Sequence, residues 1–433
     1  MENTRVKDML VPVIIGGDIL AYSYVREFNR AFGITSSVVL ATKDIKMLSS
    51  SKLCDYRLVG CITEEDSLFA ELSKIANELH TQNKKLLVLG CDDVHARLLS
   101  SLKPKLQKIG YTTFYVDFGL LDEITQKKRF YELCEELNIP YPKTWYVDCK
   151  EENSQLPMDE FNYPLIAKPS NSAQFQNAAI ENKRKIYEIE TPEELVCEYK
   201  KIKRSDYDNL LVIQEFVPGD DDAIYSLTTL SDENGDLIAV SGGRVCLQDH
   251  DPTALGNPLV ILGDRRDEII DCAARFLKKV GYHGFANFDI KYDCRDNTYK
   301  FFEINTRCGR NTYYMSLGGE NFAELLVNEF VLNNTEHTEP RYAYRPFVYS
   351  CVPKPVIKKS IESSELKQTI ADTRMSMRAF QKKQGLDPYP LFYKNDSFMH
   401  NFWAFVMYVN QIRKFKKFYW DTHGKQLKEE EYR

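Results

Sequence analysis

The chain has 433 residues, a formal net charge of −6 and 43% hydrophobic residues, enough to bury the cores of two or three domains. The negative charge argues against a nucleic-acid partner. Its eleven cysteines form no CxxC pair and its seven histidines no zinc-like spacing, so the thiols read as reduced, in a cytoplasmic protein. The sequence has no run of about 18 apolar residues to span a bilayer, and the first apolar run is too brief for a signal peptide.

In chain order, the apolar strand Val11–Ile15 leads through Gly16-Gly17-Asp18 into a helix over Ile19–Phe28. Lys85–Leu89 leads through Gly90-Cys91-Asp92 into a helix over Val94–Ser101. Two strand–glycine–helix units predict a parallel α/β domain over 1–122. The glycines do not form GxGxxG, and a structural turn is the expected reading. Lys127 then opens a helix with Phe130, Leu133, Cys134 and Leu137 at helical spacing, beside a second lysine, Lys128. Lys168 and Pro169 close the apolar strand Leu165-Ile166-Ala167, and the following Ser170–Gln174 contains no glycine. A further apolar strand ends in Gln214-Glu215-Phe216-Val217, shortly before Asp221-Asp222.

The most informative stretch is Phe285–Arg310. It reads as two strands joined by a turn rich in Asp and Asn, Cys294–Thr298. Asn287, Asp289 and Lys291 share one face of the first strand, and Glu303, Asn305 and Arg307 one face of the second. A hairpin centred on Asp296 puts Asp289 opposite Glu303, with Asn305 and Arg307 beside them. Two carboxylates so placed repel unless a cation or a proton lies between them. Asp, Glu and Asn are hard oxygen donors that suit Mg²⁺ shared with nucleotide phosphates. Phe301, Phe302 and Ile304 mark the second strand as part of a core, against the plainer reading of a solvated ribbon.

The tail from 336 onward has a different composition and ends in an aromatic and basic stretch, Asn401–Trp420. A helix there is expected to turn Trp403, Phe405, Met407 and Tyr408 to apolar surroundings and Arg413, Lys414, Lys416 and Lys417 to water. Docking on the body is preferred over weak membrane-surface contact through 401–420, because the apolar run is short.

The Asp289…Glu303-x-Asn305 hairpin, preceded in order by the Lys127, Lys168 and Gln214–Asp222 segments, resembles the ATP-grasp superfamily. The resemblance implies ATP and Mg²⁺ as cofactors, with Mn²⁺ as an alternative ion. It makes Asp289, Glu303 and Asn305 the metal ligands and Lys127 and Lys168 the phosphate lysines. Gln214, Glu215, Phe216 and Val217 become the adenine-reading hinge, and Asp221 or Asp222 the acid that takes the ribose hydroxyls. It further implies an α/β fold: an N-terminal parallel α/β domain over 1–122, a two-lobed grasp module and a C-terminal helical extension. The small lobe is expected at 123–207, the metal-bearing lobe at 208–335 and the extension at 336–433.

Together, the segments EFVPGDD, DPTALGN, GFANFDIKYD, FFEINTRCGR and the VPK at 352–354 resemble the D-aspartate ligases of Gram-positive cell-wall synthesis, nearly end to end. That likeness implies a carboxylate–amine ligase working through an acyl phosphate. The acid would be aspartate, and the acceptor the lysine side-chain amine of a peptidoglycan-precursor peptide. Arg307 is then placed to neutralise the acyl phosphate or its tetrahedral successor, against the plainer reading of a salt bridge to a neighbouring acid. Arg310 either clamps a substrate carboxylate or forms a salt bridge to a neighbouring acid. The segment Ser241–His250 departs from the pattern, so a ligase for another small acid and amine remains the alternative. An ATP-binding regulator without turnover is the other alternative, and the intact Asp289, Glu303, Asn305 and Arg307 set argues against it.

Overall fold

The apolar strand after Asp8 is buried along its whole length, as expected of a parallel strand covered on both faces. The computed structural model describes residues 2–80, 84–151, 156–170, 175, 178–184, 186–251, 254, 256–334 and 337–421. The expected loop Ser170–Gln174, apart from Ser170, and part of Asp251–Asn257 lie outside these. The chain divides into two units: Met1–Asn138 with Asp220–Ile290 and Glu303–Arg433, and Ile139–Gly219 with Lys291–Phe302.

The first unit opens with five parallel strands, β1 (Leu10–Ile15), β2 (Ser37–Ala41), β3 (Cys54–Leu58), β4 (Lys85–Gly90) and β5 (Tyr111–Thr112), in the order β3-β2-β1-β4-β5. Both expected strand–glycine–helix units are present. A helix over Glu2–Met9 and strands β2, β3 and β5 add to them. The helix after β1 runs over Ile19–Phe32, capped by Asp18 and ended by Gly33 in the left-handed region. The helix after β4 runs over Asp93–Lys108, past the expected stop and through Pro104. Leu102 and Leu106 on either side of that proline are fully buried, and their packing outweighs the lost backbone bond.

The second unit holds β6 (Thr144–Asp148), β7 (Leu165–Pro169), β8 (Tyr187–Ile189) and β9 (Leu210–Glu215), an antiparallel sheet in the order β6-β9-β7-β8. The helix Pro192–Lys203 turns Leu195, Tyr199 and Ile202 into its core and starts at a Thr191/Glu194 capping box. Within this unit Lys300 Nζ pairs with Glu215 at 2.7 Å and with Asp293 at 2.9 Å, and Arg295 joins both acids.

Back in the first unit, β10 (Ile224–Ser231) and β11 (Leu237–Gln248) form an antiparallel pair with Tyr225 opposite Arg244. The sheet continues through β12 (Pro258–Gly263), β13 (Gly284–Asp293), β14 (Thr298–Asn305) and β16 (Val348–Ser350), with β15 (Arg341–Tyr342) against β11. The amphipathic helix Asp267–Val280 buries Ile269, Ile270, Ala273, Phe276 and Leu277, and Phe276 meets Phe288 of β13 edge-on.

The C-terminal helix Phe398–Phe415 docks by His400, Ala404 and Phe415, one stripe at helical spacing. His400 lies between the carbonyls of Met47 and Leu391, each at 2.8 Å, and stacks on Tyr22. The stripe corrects the expected orientation: Trp403 and Tyr408 pack inward, but Phe405 is 54% exposed and Met407 36%. Lys414 does not face water alone. It pairs with the buried Asp249 at 2.6 Å. Among the described residues no helix is long and apolar enough to cross a membrane.

Candidate active site

The hairpin geometry brings the sequence-selected residues of the first unit together. Asn305 Nδ2 donates to Asp289 Oδ2 at 3.1 Å and to the carbonyl of Asn287 at 3.4 Å. Lys127, first residue of the helix Lys127–Glu136, donates to Glu303 Oε2 at 2.9 Å, whereas Lys128 is exposed. Burial, and then the charge of Glu303, push the Asp289 carboxyl up from its usual value; Asn305 and Arg307 act the other way.

Among the described residues no three His, Cys, Asp or Glu side chains gather round one point. The group here is two carboxylates and an amide, all hard oxygen donors. Burial and the repulsion from Glu303 both disfavour the Asp289 charge, and a divalent cation relieves both, so the donor set fits Mg²⁺.

Arg307 Nη2 donates to Asp93 at 2.9 Å and to Asn305 Oδ1 at 3.3 Å, and the Arg307 Nε lies 2.8 Å from the Asp93 carboxylate as an ion pair without hydrogen-bond geometry. Burial alone would lower its pKa; the Asp93 carboxylate outweighs that and raises it. Three residues on, Arg310 makes no hydrogen bond or ion pair among the described residues, and its Nε is shut off from solvent. The salt-bridge reading of Arg310 therefore finds no partner.

Sequence reasoning missed the groups that support this set. Asn287 Oδ1 accepts from Ser226 at 3.3 Å and Thr228 at 3.0 Å, while its amide nitrogen reaches Asp289 Oδ1 at 3.3 Å. A Cβ on Gly309 would stand 2.7 Å from that same Asn287 oxygen, so only glycine lets the chain turn from Arg307 to Arg310 so close to the sheet. Asp18 and Asp93 were missed because each reads in the sequence as an ordinary helix start. The Gly-Gly-Asp and Gly-Cys-Asp-Asp turns after two parallel strands were the available signal.

Asp221 is held by Gln248 through its backbone and side-chain nitrogens, both at 2.8 Å. Burial would raise its pKa, but the nearby His250 ring and the hydrogen bonds from Gln248 prevail and lower it. Asp222 pairs with Arg244 at 2.5 Å. Both acids are engaged in the loops that follow β9 and β11.

In the second unit, Lys168 Nζ lies 3.2 Å from Gln214 Oε1, across paired strands β7 and β9. The Glu215 carboxylate is taken up by Lys300, Arg295 and the backbone nitrogen of Lys143. Phe216 faces the Lys291 ammonium at 5.5 Å, and Val217 is buried.

No family model matches the sequence. Among solved structures, the fold resembles L-amino acid ligase from Bacillus licheniformis, with a TM-score of 0.51 at 13% identity over 79% of this chain and 75% of that one. It also resembles the biotin carboxylase domain of 2-oxoglutarate carboxylase from Hydrogenobacter thermophilus, solved with MgADP and bicarbonate. That likeness has a TM-score of 0.54 at 16% identity, over 78% of this chain and 72% of that one. These likenesses show the fold that the chain shares with those enzymes. By sequence, the chain is 30% identical to the D-aspartate ligase of Enterococcus faecium over 98% of its own length and all of that protein's. It belongs to that family of ATP-dependent carboxylate–amine ligases.

Proposed function

We propose that this enzyme joins the β-carboxylate of D-aspartate to the lysine side-chain amine of a peptidoglycan-precursor peptide, in the cytoplasm, with ATP and Mg²⁺. The observation that carries the ligase chemistry is the convergence of Asp289, Glu303 and Asn305 beside Lys127 and Arg307. The choice of D-aspartate and of the acceptor rests on the Enterococcus faecium relative, matched along its full length.

In this reading Asp289, Glu303 and Asn305 hold Mg²⁺, which offsets the charge on the nucleotide's phosphates. Lys127 and Lys168 hold phosphate oxygens, and Lys127 exchanges its bond to Glu303 for one to the nucleotide. The backbone of Gln214–Val217 reads the adenine edge, with Asp221 or Asp222 at the ribose once its present partner is released. A carboxylate oxygen of the acid attacks the γ-phosphorus, and the β–γ bridging oxygen leaves with ADP. The product is an acyl phosphate. Arg307 neutralises it and the tetrahedral adduct formed when the acceptor's free amine attacks the carbonyl carbon. That adduct expels phosphate, the nitrogen loses its proton, and an amide remains.

Hydroxylamine tests this reading by trapping the acyl phosphate as a hydroxamate without any acceptor. With ATP and Mg²⁺, aspartate gives the strongest signal in an amino-acid panel, D over L, together with ADP and phosphate. Release of AMP and pyrophosphate rules out acyl-phosphate chemistry. Strong preference for another acid replaces aspartate with that acid, and directs attention to the departing segment Ser241–Asn257.

A further inference from the structure

The parallel sheet of the first unit carries a feature that the reaction described above does not use. In the order β3-β2-β1-β4-β5 the chain winds outward in both directions from the β1–β4 pair. In open α/β sheets, ligands lie beyond the carboxyl ends of the strands at such a reversal point. Ile15 of β1 pairs with Gly90 of β4 there, and the chain leaves those strands into Asp18 on one side and Asp92 and Asp93 on the other. Asp93 is occupied by Arg307 and Asp92 caps its own helix through the His95 nitrogen.

Asp18 differs from both. Its Oδ1 accepts from the backbone nitrogens of Leu20 at 2.9 Å and Ala21 at 3.1 Å, which fixes the carboxylate, while Oδ2 accepts no hydrogen bond among the described residues. Gly16 and Gly17 hold it in place: a Cβ on either would stand 2.7 Å from Cys91 Cβ or 2.3 Å from Ile45 Cδ1. The Arg307–Asp93 ion pair at 2.8 Å brings the turn from Arg307 to Arg310 to the ends of these strands, and the Arg310 charge acts on Asp18 although the two form no ion pair. Tyr349 feels the charges of both, and Cys351 and Tyr389 that of Arg310. A fixed carboxylate with one oxygen free of hydrogen bonds thus lies within electrostatic reach of a guanidinium that has no hydrogen-bond or ion-pair partner among the described residues. Both side chains are half-buried, and a ligand that bonds both charges would offset the cost of that partial burial. A group that presents a cation to one and an anion to the other is a zwitterion.

We propose that Asp18 and Arg310 bind the α-amino-acid end of the acid substrate, Asp18 taking the ammonium and Arg310 the carboxylate that does not react. The substrate's second carboxylate is then the one left to reach Arg307 and the Asp289–Glu303 pair. The parallel domain becomes the part of the enzyme that demands an α-amino acid. This assignment rests on the ligase reading above.

The test compares aspartate with succinate, which lacks only the ammonium, and with β-alanine, which lacks only the α-carboxylate. The readouts are hydroxamate formation and, for an analogue that is not turned over, its inhibition constant against aspartate. Asp18→Asn keeps the oxygen that caps the helix and removes the charge, so its thermal midpoint should match that of the wild type. It should raise KM for aspartate by roughly 10- to 100-fold, the effect of losing one charged hydrogen bond, and leave succinate unchanged. Arg310→Gln should lower aspartate towards β-alanine and leave β-alanine unchanged. If Asp18→Asn weakens aspartate and succinate equally, or neither, the subsite is wrong while the ligase reading stands. If no amino acid gives a hydroxamate with the wild type, the ligase reading falls and takes the subsite with it.

Discussion

Replacing Arg307 with alanine separates a transition-state role from a structural one. The side chain is 15% exposed, whereas its partner Asp93 is 60% exposed, so Arg307→Ala leaves only a solvent-exposed carboxylate unpaired. A pair open to water on one side contributes about 1 kcal/mol or less. For a chain of this size that moves the thermal midpoint by roughly 2–4 °C at most. If Arg307 neutralises the acyl phosphate, the catalytic loss is far larger. Removing one donor to a developing oxyanion costs about 10²–10³ in kcat, near 3–4 kcal/mol. The assay is hydroxamate formation at saturating ATP and aspartate, run beside Asp93→Asn. That control removes the ion pair but leaves Arg307 its bonds to Asn305 Oδ1 and the Cys308 carbonyl. It should cost less than about tenfold. Equal losses in Arg307→Ala and Asp93→Asn would show that the pair's geometry matters and the cation does not, and the role assigned to Arg307 would be refuted.

Asp289→Asn and Glu303→Gln should each abolish turnover and keep the fold, read by circular dichroism beside a phosphate-release assay; near-normal turnover in Glu303→Gln would overturn the metal assignment. Lys168→Ala should weaken nucleotide binding in calorimetry, and Lys127→Ala should lower turnover more than Lys128→Ala, because Lys127 touches Glu303 while Lys128 lies exposed; the reverse order would assign the wrong lysine. Acid should destabilise the second unit through Asp293, whose carboxyl Arg295 and then Lys300 hold well below the usual carboxylate range against the opposing effect of burial. A depressed folded pKa gives stability that is complete above the unfolded value near 4 and is lost as pH falls through the folded one. Urea midpoints between about pH 5 and 2 should therefore fall less steeply in Asp293→Asn than in the wild type, and parallel slopes would remove Asp293 from the account.

Local patterns made the centre of the site legible. Side chains alternate on strands, so counting from a turn at Asp296 places Asp289 by Glu303, and the Asn305 bonds to Asp289 and to the Asn287 carbonyl follow the same register. Lys127 was legible as the first residue of a helix. Groups brought in by tertiary packing were not. Asp93 and Arg307 are 214 positions apart, and Lys414 and Asp249 are 165 apart. Strand β3 is only half-buried and β5 is two residues long, so their apolar signal is weak, whereas β2, largely apolar and buried throughout, carried a signal that sequence reasoning missed. The C-terminal helix misled because it is apolar all round. Phe398, at 81% exposure, and Phe402 look as core-like in the sequence as Ala404 and Phe415, and only the surface on which the helix docks distinguishes its faces.

The segment that follows β14 comes to lie against the helix Ile19–Phe32 of the parallel domain. Apolar packing alone would let the chain after β14 slide against the helix Ile19–Phe32. Buried polar contacts do not. Ser316 donates to Glu27 at 2.6 Å, and Asn321 donates to the Glu27 carbonyl at 3.2 Å. The fully buried Arg26 lies 3.4 Å from Glu27 and faces the rings of Tyr313 at 4.3 Å and Tyr393 at 4.9 Å. It also donates to the carbonyls of Pro390 at 2.6 Å and Phe392 at 3.1 Å. The Arg26–Glu27 pair lies within one helix and sets no register, but the bonds from Ser316 and Asn321 to Glu27 and from Arg26 to Pro390 and Phe392 do, because a shift of those segments leaves buried polar groups without them. The helix that Asp18 caps is therefore locked to the chain that follows Arg310 and to the C-terminal extension at once. An N-terminal domain needed only for solubility would not require three distant segments to meet on one buried arginine. A domain that sets the spacing between a carboxylate and a guanidinium would.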